Sequence, residues 1–434
     1  MSLSIFLLTG LSTSSFFLAD YLTKIINNKS HSVVQLDFAL KQKNVAALQF
    51  ALGKSKLHSE QWLVLAKILA KTQGNVAYQL ATYYQKKTAQ AIFWYKSAIR
   101  LNYPEASIAL AKLYFKQEKI NQASEILATL PTKLPEKLTI PASLLKINIA
   151  INQGKVTEVT RLINQYADKL KKTTAGRLLL TDIKKYQLLP NEKQIPMRSP
   201  TAQSCDNSIQ LFATNLTHLK HLEDIITHFK AQTLSRSVCF SPFRYIPINA
   251  LDCNTEEDQA IQCNELNWQK WANTINTRYV GLMLPQGGAN VHLGGLYFDA
   301  QDSVDVVAHE ISHLLGFVDE YPLVANHVTC QFSQLGLFSH NVSVLKKRYQ
   351  GEQKAVRINI LKQLAWAKHI KNSTPILQPV TSLNGKQYWQ LGTPEAFKNE
   401  VGLFHAQTCD NSLYQDKDGF SAFKPVSNRT KLQY

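Results

Sequence analysis

The first 204 residues contain no cysteine, and residues 33–187 contain only four glycines, Gly53, Gly74, Gly154 and Gly176. With so few breakers, and with apolar residues recurring at three and four, that stretch reads as almost wholly helical. Acidic residues are scarce there too. Residues 1–200 hold 28 Lys+Arg against 11 Asp+Glu, while the rest hold 20 of each, so the whole net charge of +17 lies in the N-terminal half. Such a surface suits lipid headgroups, acidic glycans or acidic proteins, or is a solvated helical face. No recognition motif accompanies the charge, so no nucleic-acid partner is expected. Beyond the start of the chain, no run is long and apolar enough to span a bilayer. Met1–Ala19 (MSLSIFLLTGLSTSSFFLA) is uncharged and mildly apolar. It reads as an export signal or an uncleaved anchor over residues 1–20, with peripheral or anchored membrane association as the consequence.

No Cys-x-x-Cys spacing occurs, which argues against a structural zinc cluster. The six cysteines, Cys205, Cys239, Cys253, Cys263, Cys330 and Cys409, all fall in the C-terminal half. An even number suits three disulfides in an exported protein, periplasmic or secreted, with fifteen pairings open. At 45% apolar and 18% charged residues, the chain has the composition of folded cores.

Residues 33–187 show internal similarity. Ala81 and Tyr84 recur as Ala111 and Tyr114, and Gln117-Glu118-Lys119-Ile120 recurs as Gln153-Gly154-Lys155-Val156. Such periods belong to stacked helix pairs. The segment around Trp94-Tyr95 and Ala98 resembles tetratricopeptide and Sel1-like repeats, which implies a solenoid able to hold a protein partner. Tyr83, Tyr84 and Trp94 are expected to pack between helices. Residues 188–204 carry three prolines and read as a linker. From 205 to 434 strands and helices mix: strands at Ser208–Thr214, Ser237–Ile246, Arg278–Leu284 and Asn290–Phe298, a helix at Leu216–Gln232, a loop over 249–263, helical stretches in Val344–Ile370 that include Ala355–Ile370, and an irregular end from Val401. The fold class is thus multidomain, an all-α solenoid followed by an α/β (α+β) domain.

Chemistry concentrates in Val304–Tyr321, VDVVAHEISHLLGFVDEY. Two histidines four apart, His309 and His313, share one helix face and reach one metal ion, while Glu310 faces that ion without being a ligand. Asp302 or Ser303 caps the helix. Val304, Val307, Ala308, Ile311, Leu314 and Leu315 bury its other side. Gly316 permits a sharp reversal, and Asp319 then stands close enough to be a third ligand. The pattern H-E-x-x-H-x-x-G-x-x-D resembles the metzincin zinc peptidases, and Asp319-Glu320-Tyr321 is similar to their IgA-peptidase-type family. The resemblance implies Zn2+ on His309, His313 and Asp319, with Glu310 as general base in a zinc endopeptidase that cleaves a peptide or protein substrate. It also implies that Asn290–Phe298 is an edge strand taking substrate backbone, its Gly294-Gly295 pair allowing close approach.

Two positions depart from that family. The methionines are Met1, Met197 and Met283, all upstream, so Phe423 is aligned where metzincins carry a methionine beneath the metal. His405 stands where an acidic residue is expected. Alternative readings are a non-enzymatic envelope scaffold with an inactive peptidase-like domain, and a gluzincin-like enzyme with a distant Glu ligand. Gly316 and Asp319 speak against the latter. His218, His221 and His228 lack acidic companions and are not expected to bind metal. Tyrosines near the end, such as Tyr414, are candidates to stabilise an oxyanion.

Overall fold

The computed structural model describes residues 17–189, 205–254, 256, 259–268, 271, 274–327, 330, 339–381, 385–412 and 419–433. An N-terminal helical region is followed by a mixed α/β region, and the chain divides into two compact units, residues 1–181 and 182–434.

The helical region begins before residue 33. Residues 17–27 are helical, and Leu22 and Ile26 are buried with Ala39, Ala46 and Ala47. Residues 1–16 of the expected export segment lie outside the described residues. Then come α1 (Val33–Lys41), α2 (Val45–Lys54), α3 (Glu60–Leu69), α4 (Gly74–Tyr83), α5 (Thr88–Arg100), α6 (Pro104–Lys116), α7 (Ile120–Ala128), α8 (Glu136–Asn152), α9 (Val156–Lys171) and α10 (Thr174–Lys185). Each from α1 to α8 packs on the next in sequence. Small side chains at the crossings, among them Ala66, Ala77, Ala81, Ala91, Ala98, Ala106, Ala111 and Ala123, are fully buried and let the backbones approach. The similarity between residues 117–120 and 153–156 has a structural counterpart. In one turn Lys119 N–H reaches back to Tyr114 O and Ile120 N–H to Glu118 O; in the other Lys155 reaches Ala150 O and Val156 reaches Gly154 O. Glu118 and Gly154 both take positive φ there, 59° and 70°.

Residues from Asp182 onward group with the second unit. Lys185 pairs with Glu223 at 2.5 Å, Lys220 with Asp182 at 2.6 Å, and Tyr245 N–H donates to Tyr186 O. The unit boundary therefore precedes the proline-bearing 188–204 stretch, of which 190–204 lie outside the described residues.

The second unit is built on a sheet of β1 (Ser208–Ala213), β2 (Cys239–Phe240), β3 (Arg244–Tyr245), β6 (Tyr279–Leu284), β7 (Asn290–His292) and β8 (Gly295–Asp299), in the order β2-β1-β6-β8-β7 with β3 also on β1. All pairings are parallel except β7, the antiparallel edge. Helices α11 (Leu216–Phe229) and α12 (Val304–Leu314) pack on the sheet and on each other. The expected strand Ser237–Ile246 is two short ones, because Pro242 cannot donate to a ladder. The expected strand Asn290–Phe298 is a hairpin. Leu293 (φ 48°) and Gly294 (φ 82°) form its two-residue turn, and positive φ at both positions is the turn geometry that matches the twist of the strands without splaying them. Gly294 thus serves the turn, and the expected single edge strand shrinks to β7.

The expected loop over 249–263 contains a small ladder, β4 (Cys253–Asn254) with β5 (Gln262–Cys263), closed by the Cys253–Cys263 disulfide. Farther on, β10 (Arg348–Tyr349), β12 (Gln387–Leu391) and β11 (Leu377–Thr381) form one antiparallel sheet. The end expected to be irregular supplies β13 (Phe404–Ala406) and β14 (Phe420–Lys424), which form another with β9 (Ser343–Lys346), in the order β13-β14-β9. Of the helical stretches expected in Val344–Ile370, α13 (Gln353–Leu361) forms the first part of Ala355–Ile370, whereas the start of that range is strand, in β9 and β10. The remaining disulfides are Cys205–Cys239 and Cys330–Cys409. Three disulfides fit an oxidising, exported environment. Among the described residues, no helix is long and apolar enough to cross a membrane.

Candidate metal centre

Strand β8 delivers the chain to α12 through a turn locked by two aspartates. Asp302 Oδ2 accepts from Asp299 N–H at 2.7 Å, and Asp299 Oδ1 accepts from Gln301 and Asp302 N–H at 2.7 and 3.1 Å. Ser303, not Asp302, is the N-cap, accepting from Val306 N–H. Val307, Ala308 and Ile311 are fully buried against the sheet, while Val304 and Leu315 are half-buried. The helix stops at Gly316, whose φ of +84° is the left-handed conformation that glycine adopts most cheaply. Val318 is then held on both backbone groups by Asn341: its N–H donates to Oδ1 at 2.9 Å and its carbonyl accepts from Nδ2 at 2.8 Å. Asp319 follows, pointed back at the helix.

Three side-chain atoms converge. His309 Nε2 and His313 Nε2 are 3.0 Å apart, and Asp319 Oδ1 lies 3.0 Å from the first and 3.3 Å from the second. Each imidazole uses its other nitrogen on a backbone carbonyl, His309 Nδ1 on Lys431 O at 2.9 Å and His313 Nδ1 on Phe317 O at 3.0 Å. A carbonyl only accepts, so both Nδ1 atoms carry the proton, and in the neutral rings both Nε2 lone pairs face inward. Asp319 Oδ1 is buried and, while both rings are neutral, receives no hydrogen bond from either. Three inward acceptors with no donor between them fit a cation. Their spacing also fits: donors held tetrahedrally at zinc distances stand about 3.3 Å from one another.

Glu310 offers a fourth group. Its carboxylate lies within 4.8 Å of both imidazoles, and it is 8% exposed. Two carboxylates thus border the rings, and Asp319, in contact with both, is the better third ligand. In the metal-free protein, burial pushes Asp319 upward, but the rings, once protonated on Nε2 as well, donate to it, and their hydrogen bonds and charge hold the carboxyl well below the usual range. His309 is raised, chiefly by the hydrogen bond to Asp319; His313 is raised although burial opposes it. Burial raises Glu310, the histidines opposing. Burial, then the charge and hydrogen bond of Asp319, push Tyr321 to about 12, so its hydroxyl remains a donor at neutral pH. The sequence named Tyr414, which lies outside the described residues; Tyr321 is the tyrosine brought to Asp319.

Phe423 is buried with Leu345, Ile360 and Leu403, a cluster to which α12 contributes no residue among those described. His405 is half-exposed and pairs with Asp410 at 3.0 Å. His218 is buried, its Nδ1 accepting from Asn215 Nδ2 at 3.0 Å, and His228 Nδ1 donates to Asp224 O. Among the described residues, neither belongs to a metal-sized cluster. What the sequence did not expose is the chain end. Lys431 gives the carbonyl that fixes His309, and its Nζ pairs with Asp305 on α12. A backbone carbonyl has no sequence signature.

No family model matches the chain, and no curated protein matches it. Among solved structures, LpoA of Haemophilus influenzae aligns over 65% of this chain at 11% identity and a TM-score of 0.17. This chain spans 58% of that one's length, and a likeness so slight carries no argument about fold or function.

Proposed function

We propose that the second unit is a zinc-dependent endopeptidase of metzincin-like, IgA-peptidase-like character, on an exported protein whose helical region is a tetratricopeptide/Sel1-like solenoid that recruits a substrate or partner. The observation that carries the reading is the inward triangle of His309 Nε2, His313 Nε2 and Asp319 Oδ1, both rings having their Nδ1 protons committed to carbonyls. Zinc held there supplies a Lewis acid for the scissile carbonyl and a water acidified to a pKa of about 7. Glu310, buried beside the rings, takes the proton of the attacking water on its carboxylate and returns it to the leaving amine. Strand β7, the antiparallel edge, offers main-chain groups to an extended peptide. The excess positive charge of the N-terminal half favours an anionic partner on the solenoid.

The test is metal analysis of the purified full chain beside Asp319→Ala, with cleavage of an unfolded protein substrate in the presence and absence of a chelator. The reading requires about one equivalent of zinc in wild type, near none in the variant, and chelator-sensitive cleavage. Wild type that holds no metal, or cleaves equally well in chelator, would leave the scaffold as the better account.

A further inference from the structure

Glu320 and Lys424 are 1% and 2% exposed, and Lys424 Nζ stands 3.0 Å from Glu320 Oε2. Every remaining polar atom of the pair is used. Glu320 Oε2 also accepts from Thr430 Oγ1 at 2.7 Å, and Oε1 accepts from Asn341 Nδ2 at 3.0 Å. Lys424 Nζ also donates to Asn428 O at 3.0 Å and Gln433 Oε1 at 2.9 Å. A buried ion pair gives little net stability over apolar residues of the same size, since desolvation offsets the attraction. What this pair does fix is geometry. It ties β14 and residues 428–433 to the position directly after Asp319.

The consequence reaches the metal ligands. Consecutive carbonyls of the tied segment hold both sides of the site: Lys431 O accepts from His309 Nδ1 at 2.9 Å, and Leu432 O accepts from Glu320 N–H at 2.7 Å. Asn341 links Glu320 to Val318, so the residues flanking Asp319 are both anchored. Thr408 Oγ1 donates to the carbonyl of Asp319 itself at 2.8 Å.

We propose that the buried Glu320–Lys424 pair is a positioning device for the metal site: it holds residues 430–432 so that His309 and Asp319 are aimed at a common ion. This inference rests on the metal-site reading above. Glu320, Lys424 and Thr430 are positioning residues; none belongs to the triangle of His309, His313 and Asp319.

Two variants of the full chain test it. Glu320→Gln/Lys424→Met removes both charges and leaves neither stranded. Thr430→Val leaves the pair intact and removes the hydroxyl that ties Glu320 to the segment. Zinc affinity is read by competition with a chromogenic chelator, ligand geometry by the d–d spectrum of the cobalt-substituted protein, and the metal-free fold by near-ultraviolet circular dichroism. The expected result is zinc binding about 10- to 100-fold weaker, with an altered cobalt spectrum, in protein that remains folded without metal. If the double variant does not fold, Thr430→Val decides. Folded variants with zinc affinity within about threefold of wild type and an unchanged cobalt spectrum overturn the proposal. Wild type that binds neither metal overturns the metal-site reading itself. Wild type that binds both, beside variants that bind equally well, overturns only the positioning role.

Discussion

A β-carbon placed on Gly316 would stand 2.9 Å from Cδ2 of His340, closer than real side chains approach one another. The reversal that returns Asp319 to the helix is therefore closed by a ring packed onto the bare backbone of the glycine, and His340 N–H also donates to Gly316 O at 3.1 Å.

Gly316→Ala should cost stability twice, by forcing a left-handed conformation on a residue with a side chain and by displacing His340. The two together are worth about 1–3 kcal/mol. The reversal would shift, so zinc affinity should fall as well. Thermal midpoints and zinc competition measure both effects. His340→Ala in the same chain should restore part of the stability, because it removes the steric half of the cost. An alanine variant with wild-type midpoint and affinity would refute this account of the turn.

Glu310→Gln should keep zinc and lose at least about 100-fold in turnover, the lower end of general-base contributions. The amide preserves shape and cannot accept the proton. Metal content and cleavage rate are compared in the same preparation. Near wild-type hydrolysis would remove Glu310 from the mechanism.

Burial pushes the His218 imidazole down to about 4, with His221 adding to the effect and Asp299 opposing it. Its Nδ1 accepts a hydrogen bond from Asn215, an arrangement that protonation destroys. The folded value lies below the unfolded one, so the unfolded chain binds the proton more strongly. This contribution is complete above about pH 6.5 and is lost as pH falls towards 4, to a total of about 3 kcal/mol. Asp302 acts in the opposite sense. Burial foremost raises it to about 6, so its folded carboxyl holds the proton more strongly and stability grows as pH falls below that value. His218→Gln should therefore flatten the acid side of the stability curve, measured as thermal midpoint against pH in chelator. A variant with the same acid slope as wild type would show that His218 does not carry it.

The Cys330–Cys409 disulfide closes a separation of 79 residues, and Thr408, next to Cys409, donates to the carbonyl of Asp319. Replacing both cysteines with serine should cost about 2–5 kcal/mol. It should also weaken zinc binding, because the anchor of the third ligand loosens. Denaturant midpoints and chelator competition read the two effects separately. Loss of stability with unchanged zinc affinity would separate the disulfide from the site.

His309, Glu310 and His313 were legible because an α-helix converts a four-residue spacing into a shared face, a rule that needs no tertiary information. The helical N-terminal region was legible for the same reason, as were β1, β6 and α11. Asn290–Phe298 misled because its alternation continues through Leu293-Gly294, and only the twist of paired strands reveals the turn there.

The sequence by itself determined that His309 and His313 share one helix face beside Glu310 and that Gly316 ends their helix, since both follow from local periodicity and backbone freedom. The tertiary structure alone decided which three cysteine pairs form. It also set the protons on the imidazoles, because His309 takes its orientation from the carbonyl of Lys431, 122 residues away. A backbone carbonyl is the same at every position in a chain, so nothing in a sequence marks which one will receive that bond; the packing of Glu320 on Lys424 does.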